Sequence, residues 1–310
     1  MKRLLVIGAG FLQSFLIQKA KELGYYTIAI DKNPSAVGFN YSDESATIDI
    51  INKESCLDFA KSKNIDGVIT AATDYGVISA AYIAKKLGLP GIDYEVAKVI
   101  KNKYLVRRNL FQNRVDDLSQ FFEVDSSDKL NEIKEQVNYP VIVKPSDGSG
   151  SKAINKADNF SELISGYNKA SNESLSGKVL VEDYILGEEY GVESFVYRGE
   201  VSVLGIMAKK MTSPPNYAEL GHHVPSGLLI EDRIKNTVIK AIKSLGVNFG
   251  AVNMDVLVTP ENKVYIIDVG ARMGGNLIGS HIIPLSTNID YMKILIEAAI
   301  GDSVKIENPT

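Results

Sequence analysis

The stretch from Ala251 to Gly275, AVNMDVLVTPENKVYIIDVGARMGG, puts two carboxylates where folding physics would not favour them. Apolar residues alternate on both sides of a Pro-Glu-Asn-Lys turn, the pattern of a β-hairpin with one buried face. With Thr259 set across the turn from Val264, Asp255 falls opposite Asp268 and Asn253 opposite Gly270. Directly opposed side chains have Cβ atoms about 5 Å apart, where like charges destabilise the pair. At an effective dielectric of about 20 the repulsion is roughly 3 kcal/mol, more than a favourable cross-strand pair returns. A divalent cation between the carboxylates would offset it, and magnesium takes such oxygens together with substrate phosphates. Two solvated aspartates in a slipped register are the alternative, and the hairpin alone does not choose between them.

A chain of 310 residues is long enough for two or three domains, and 45% hydrophobic with 23% charged residues is ordinary globular composition. The formal charge of -4 argues against a general nucleic-acid binder, which would carry a basic field. Cys56, the only cysteine, permits no internal disulfide and fits a reducing compartment. No apolar run approaches the ~18 residues that a membrane span needs. The opening MKRLLVIGAGF has a signal peptide's order of charge and apolar residues, but Gly8 and Gly10 interrupt it. A buried first strand in a cytoplasmic protein is the expectation.

The amino-terminal third alternates strand and helix: strands over 3–7, 27–30, 46–48 and 67–70, and helices after the first, third and fourth. Such alternation means a parallel, doubly wound sheet. Asp31 stands where a dinucleotide fold keeps its ribose carboxylate, but Gln13 occupies the third glycine position of GxGxxG. The turn is therefore read as a tight turn ahead of an NAD site. A basic helical stretch, EVAKVIKNKYLVRRNLF, follows, and its charges read as a solvated face except at Lys103. From Phe121 the order changes to α+β, with strands FFEV, PVIVK, SKAINK and KVLVEDY forming a small lobe. After Glu189 come strands YGVESFVY and VSVLGIMAK, a helix over 230–245, the opening hairpin, and a last helix expected to pack on this unit. The boundaries are 1–100 for the parallel sheet, 101–119 for a linker helix, 120–186 for the lobe and 187–310 for a mainly antiparallel unit.

Three further motifs carry chemistry. A buried strand delivers Lys144 to a loop of glycines and serines, whose successive N–H groups can cradle phosphate oxygens; a plain hairpin turn is the alternative. In VLVEDYILGEEYGVESF, strand, short linker and strand read as a hinge, with backbone groups for a purine edge and a carboxylate for ribose hydroxyls; acidic turns that bind nothing have the same look. The segment MTSPPNYAELGHHVPSGL, holding His222 and His223, reads as a long loop. Either histidine, with Asn276 and His281, is a candidate to line a substrate pocket.

Taken together, the glycine-turn domain, Lys103, Lys144 with its glycine loop, Glu182 and Glu189, and Asp255, Asp268 and Arg272 resemble the ATP-grasp superfamily over almost the entire chain. The resemblance is to its carboxylate–amine ligases, of the carbamoyl-phosphate-synthase-like and phosphoribosylamine–glycine-ligase-like kind. It implies that Lys144 and Lys103 contact the phosphates of ATP, under a mobile loop of Ser149, Gly150, Ser151 and Lys152. Glu182, Asp183, Tyr184 and Ile185 would form the adenine hinge, Glu189 would take the ribose, and Leu257 would lie under the purine. Lys209 or Lys210 would supply another phosphate contact, and Arg272 would stabilise the acyl phosphate. Asp255 and Asp268 would hold magnesium, with manganese as a substitute. Relatives commonly carry Asn where this chain has Gly270, so Asn253, across the strand, is the candidate to supply the missing oxygen.

The activity implied joins a carboxylic acid to an amine at the expense of ATP. A bicarbonate- or carbamate-activating enzyme and a non-catalytic ATP-binding module are the alternatives. Many relatives have a further carboxy-terminal lobe, which leaves a second copy or a partner subunit to complete the acceptor site here. Small-molecule substrates are expected, with neither nucleic acid nor membrane as partner.

Overall fold

The computed structural model describes residues 1–212 and 218–306. Residues 213–217, inside the segment read as a long loop, lie outside the described part. The chain forms three sheets.

The first is parallel, in the order β3-β2-β1-β4, from β1 (Arg3–Ile7), β2 (Tyr26–Asp31), β3 (Glu44–Thr47) and β4 (Gly67–Ile69). Helices α1 (Phe11–Glu22), α2 (Lys53–Lys63) and α3 (Tyr75–Leu87) cover it, and strands buried on both faces are apolar, as β1 is after Arg3. In the glycine turn after β1, the third glycine position of a dinucleotide fingerprint is filled by a side chain. Gln13 packs into it, so that a Cβ on Gly10 would lie 2.9 Å from its Oε1, and its Nε2 donates to the Ala71 carbonyl at 2.6 Å. Asp31, the would-be ribose carboxylate, accepts instead from the N–H groups of Ala9 and Asn33, both at 2.9 Å.

The basic stretch is two helices, α4 (Tyr94–Ile100) and α5 (Lys103–Gln112). The break comes at Asn102, whose side chain accepts from Leu105 N–H at 3.0 Å and caps α5, a role for which Asn is well suited. Lys103 thereby begins a helix, and its N–H donates to the Ser146 carbonyl at 2.7 Å.

The second sheet is antiparallel, in the order β5-β8-β6-β7: β5 (Phe121–Val124), β6 (Val141–Pro145), β7 (Asn155–Ala157) and β8 (Val179–Asp183). Its core includes Leu130 and Ile133 of α6 (Ser127–Ile133), and Leu163 and Tyr167 of α7 (Phe160–Glu173). The strand expected from Ser151 starts only at Asn155, because Ser151 and Ala153 adopt φ of 55° and 54°, outside the strand region.

The third sheet is antiparallel, in the order β11-β10-β9-β12-β13. Its strands are β9 (Glu188–Tyr197), β10 (Glu200–Met211), β11 (Glu219–His223), β12 (Gly250–Val258) and β13 (Val264–Gly270). Three helices accompany it, α8 (Glu231–Ser244), α9 (Ile283–Thr287) and α10 (Tyr291–Ile300). Strand β11 runs through His222 and His223, so both histidines belong to a sheet and not to a loop.

The opening hairpin forms, with its turn one residue tighter than expected. Val258, not Thr259, pairs with Val264, and Thr259 N–H bonds to the Lys263 carbonyl. Ile267 is then an extra residue on β13, a bulge that shifts the register by one. Beyond it Asp255 faces Asp268 and Asn253 faces Gly270, as expected.

Helix α10 does not pack on the third sheet alone. Its residues share one core with Leu4, Val6 and Ile69 of the parallel sheet and with Phe195, Leu204 and Ala251 of the third. Gly67 makes the close approach possible, since a Cβ there would lie 2.6 Å from the Ala299 carbonyl oxygen. Gly67→Ala should cost about 1–3 kcal/mol, a strain large enough to read as a lowered midpoint in urea unfolding.

Candidate active site

A cavity of about 500 Å³ lies between the second and third sheets. Lys103, Lys144, Ser149, Ser151, Lys152, Glu182, Asp183, Tyr184, Ile185, Glu189, Lys209, Asp255, Leu257 and Asp268 all line it. Gly150 bends the loop at φ 69° without lining the cavity. Strand alternation settles the choice between neighbouring lysines: Lys209 faces inward, and Lys210 is exposed.

The two opposed aspartates are each met by a lysine. Lys103 Nζ pairs with Asp268 Oδ1, and Lys209 Nζ lies 2.6 Å from Asp255 Oδ1. Burial disfavours the charge on Asp268, but the Lys103 and Lys144 ammonium groups outweigh it and hold the carboxyl below its usual range. The repulsion inferred from the register is thus offset within the chain itself, a solution not considered from the sequence. Lys209 also donates a hydrogen bond to Glu189 at 2.9 Å and lies 3.2 Å from Glu219, so three carboxylates surround one ammonium. Burial and the nearby Asp255 push the Glu189 carboxyl up.

The donor set fits a metal that arrives with a nucleotide better than a resident one. Among the described residues, no group of three or more histidine, cysteine or acidic side chains is placed to hold an ion alone. Two carboxylates beside a cavity with room for phosphates match magnesium, which keeps one or two carboxylates and takes its other ligands from phosphate and water.

Behind the cavity, Arg107 corrects the reading of its helix as a solvated face. It is buried, with Nε on Glu182 Oε2 at 3.1 Å and Nη1 on Asp116 at 2.9 Å, and Nη2 donates to the Ile266 carbonyl. Glu182 takes Lys144 on its other oxygen at 2.6 Å, and Lys144 also donates to the Ile267 carbonyl at 2.9 Å. The Glu182 side chain is therefore engaged within the protein, which leaves the backbone of the expected hinge as its ligand-facing group. Asp183 and Tyr184 N–H are bonded to Gln120 and Pro140 carbonyls, whereas Ile185 N–H has no partner among the described residues. Arg107→Ala leaves two buried carboxylates with one partner fewer and should cost about 3–5 kcal/mol, measurable by urea unfolding.

Arg272 and Asn253 are not among the residues that line the cavity, although the Arg272 charge helps to hold the Asp268 carboxyl down. Arg272 Nε and Nη2 bond both oxygens of Asp74 at 2.8 and 3.2 Å, and Nη1 bonds Asn253 Oδ1 at 3.3 Å and the Met273 carbonyl at 3.1 Å. Next to Asn253, the fully buried Glu193 accepts from Gly274 N–H and leaves Oε2 without a partner. Burial pushes the Glu193 carboxyl up to about 8, although the Gly274 N–H and Arg272 pull it down. A carboxyl with a folded pKa above its unfolded one stabilises fully below about 4.5 and loses that contribution as pH rises through about 8. Glu193→Gln should therefore flatten the fall in melting temperature between about pH 5 and about pH 8.

The acceptor-side candidates divide. His222 is buried against Glu219, and Asn276 Nδ2 donates to the same carboxylate at 2.6 Å. Burial opposes the charge on Glu219, but His222, Lys209 and Asn276 bring its pKa down to about 2. His223 turns to the Pro225 carbonyl, and His281 stacks edge-on against Phe15, so neither joins this group. Sequence reasoning missed Asp74, Arg107, Asp116 and Glu219. Asp74 alone had a readable signal, since it follows β4 at the carboxyl end of a parallel sheet, where open α/β folds place functional groups.

A family model described as "ATP-grasp domain" matches residues 137–280. A phosphoribosylglycinamide synthetase from Anaerococcus prevotii has a similar structure, with 33% identity, a TM-score of 0.78, and coverage of 99% of this chain and 76% of that one. An L-amino acid ligase from Bacillus licheniformis gives 25% identity and a TM-score of 0.84, over 97% of this chain and 74% of that one. The small subunit of a 2-oxoglutarate carboxylase from Hydrogenobacter thermophilus is 23% identical, over 98% of this chain and 68% of its own length. The chain spans 62% and 27% of the length of two further curated relatives. Among the described residues, no helix is long and apolar enough to cross a membrane.

Proposed function

The chain belongs to the ATP-grasp superfamily, and from that premise we propose that it is an ATP-dependent ligase joining a carboxylic acid to an amine through an acyl phosphate. The observation that carries the reading is one cavity lined by Lys103 paired with Asp268, Lys209 paired with Asp255, and Lys144. Likeness to a phosphoribosylglycinamide synthetase and an L-amino acid ligase supports amide formation. Likeness to a 2-oxoglutarate carboxylase subunit keeps bicarbonate activation as the second reading.

In the proposed reaction a carboxylate oxygen attacks the γ-phosphorus as the bond to ADP breaks. The amine nitrogen then attacks the acyl carbon, phosphate leaves, and the amine proton passes to solvent. Lys144 donates to the Ile267 carbonyl and pairs with Glu182, and it keeps an N–H donor for a phosphate. Lys103 has two donors to spare beyond Asp268. Ser149 and Ser151 cover the phosphates from the glycine loop, and Ile185 N–H meets the base. Glu189 takes the ribose, and Leu257 lies under the purine. Arg272 holds the developing anion, with its contribution electrostatic. When bound by Asp255 and Asp268, with Asn253 as a further oxygen donor, magnesium or manganese neutralises phosphate charge. His222 and Asn276 border the acceptor side, and the second sheet closes as a lid that excludes water.

Phosphate release with ATP and magnesium should be measured across carboxylates paired with amines, with product masses recorded. Release that needs both partners is expected. Release with bicarbonate alone would favour the carboxylase, and tight ATP binding without any turnover would leave a binding module. Asp268→Asn should abolish turnover and leave the melting temperature near that of the wild type; retained activity would remove Asp268 from the metal assignment.

A further inference from the structure

We propose that Asp74, on the loop between β4 and α3 of the parallel sheet, is a positioning residue for Arg272, and that Gly270 is the opening that lets the two meet. The inference rests on the reading of Arg272 as the side chain that holds the developing anion. Asp74 occupies the N-cap of α3, where an Asp side chain ordinarily accepts a backbone N–H of the first turn. It makes no such bond and places both oxygens on the guanidinium, at 2.8 and 3.2 Å. The usual local role of the residue is given up for a partner 198 positions away.

Gly270 supplies an independent observation. Glycine within a strand weakens it and marks a place where another group comes close. At Gly270 a Cβ would lie 3.1 Å from Arg272 Cζ, 3.3 Å from its Nη2 and 3.2 Å from Asp74 Oδ1. Any side chain at this position crowds the ion pair from the strand side.

The donor count shows what the pair controls. A guanidinium carries five N–H bonds in one plane. Nε and one Nη2 N–H go to Asp74, while the two on Nη1 go to Asn253 and Met273. One Nη2 N–H remains, and its direction is set by the two bonds to Asp74. The loop after β4 therefore aims the donor that Arg272 offers a substrate anion, and the parallel sheet is part of the reaction site instead of a scaffold beside it.

The test is Asp74→Asn, which keeps size and removes charge, alongside Asp74→Glu and Gly270→Ala. The Nε–H resonance of Arg272 should be protected from exchange in the wild type and lose protection in Asp74→Asn and Gly270→Ala. MgADP affinity by calorimetry should stay within about threefold, because the pair lies away from the base and ribose contacts. In the phosphate-release assay Asp74→Asn should lower kcat about 100-fold, with KM for ATP unchanged, since an ångström of misplacement costs about that much. Asp74→Glu should recover part of the loss. An Nε–H that stays protected in Asp74→Asn, or an unchanged kcat once protection is lost, overturns the proposal. If the wild type turns over no substrate pair, the ligase reading falls, and the resonance still decides whether Asp74 holds Arg272.

Discussion

Opposite charges paired across distant parts of the chain hold this site together. Asp74 reaches Arg272 from the parallel sheet, Lys103 reaches Asp268 from the linker, Lys144 meets Glu182 within the second sheet, and Lys209 meets Asp255 within the third. Lys144 and Glu182 are both buried, and removing one of them leaves an uncompensated charge, which costs far more than the pair contributes. The pairs therefore constrain the backbone around them. The break at Asn102 points Lys103 inward, and the glycine at 270 clears space for Asp74.

These pairs also rank the lysines as ligand groups. A phosphate must compete with the carboxylates already held. Lys103 and Lys144 keep free N–H donors, so an incoming phosphate adds bonds without breaking any. Lys209 is surrounded by Asp255, Glu189 and Glu219, and its present effect is to neutralise them. Within the proposed reaction, Lys209 acts first as a counter-ion.

The sheet classes and the hairpin were legible in the sequence because they depend on short-range periodicity, which alternating Val, Ile and Leu display openly. The cavity residues were legible because Lys144, Glu182, Asp255 and Asp268 sit at the ends or on one face of recognisable strands. What stayed hidden depends on pairs distant in sequence. Arg107 looks like its solvated neighbour Arg108 until Glu182 and Asp116 fold against it, and no local pattern announces that. His222 and His223 looked like loop residues because Pro214 and Pro215 precede them, although pairing with β10 decides that the segment is a strand. The turn was read one residue too loose, and the aspartates still face each other because the Ile267 bulge restores the count.

That bulge has a second consequence, visible when the backbone groups around it are traced. Strand β13 is the edge of its sheet, so its outward N–H and C=O groups have no neighbouring strand. Ile266 N–H goes to Asp116 at 3.1 Å, Ile266 C=O to Arg107, and Ile267 C=O to Lys144. The Asp116–Arg107–Glu182–Lys144 chain of ion pairs thus takes the place of the missing strand. It does so from the linker, which holds Arg107 and Asp116, and from the second sheet, the part proposed to close over ATP. A lid anchored by side chains to an irregular edge can shift by exchanging a few hydrogen bonds, whereas one continuous with the sheet would have to break a ladder. The strand that carries Asp268 is therefore also the strand to which the second sheet is bonded, so the proposed closure would act on the backbone next to that carboxylate.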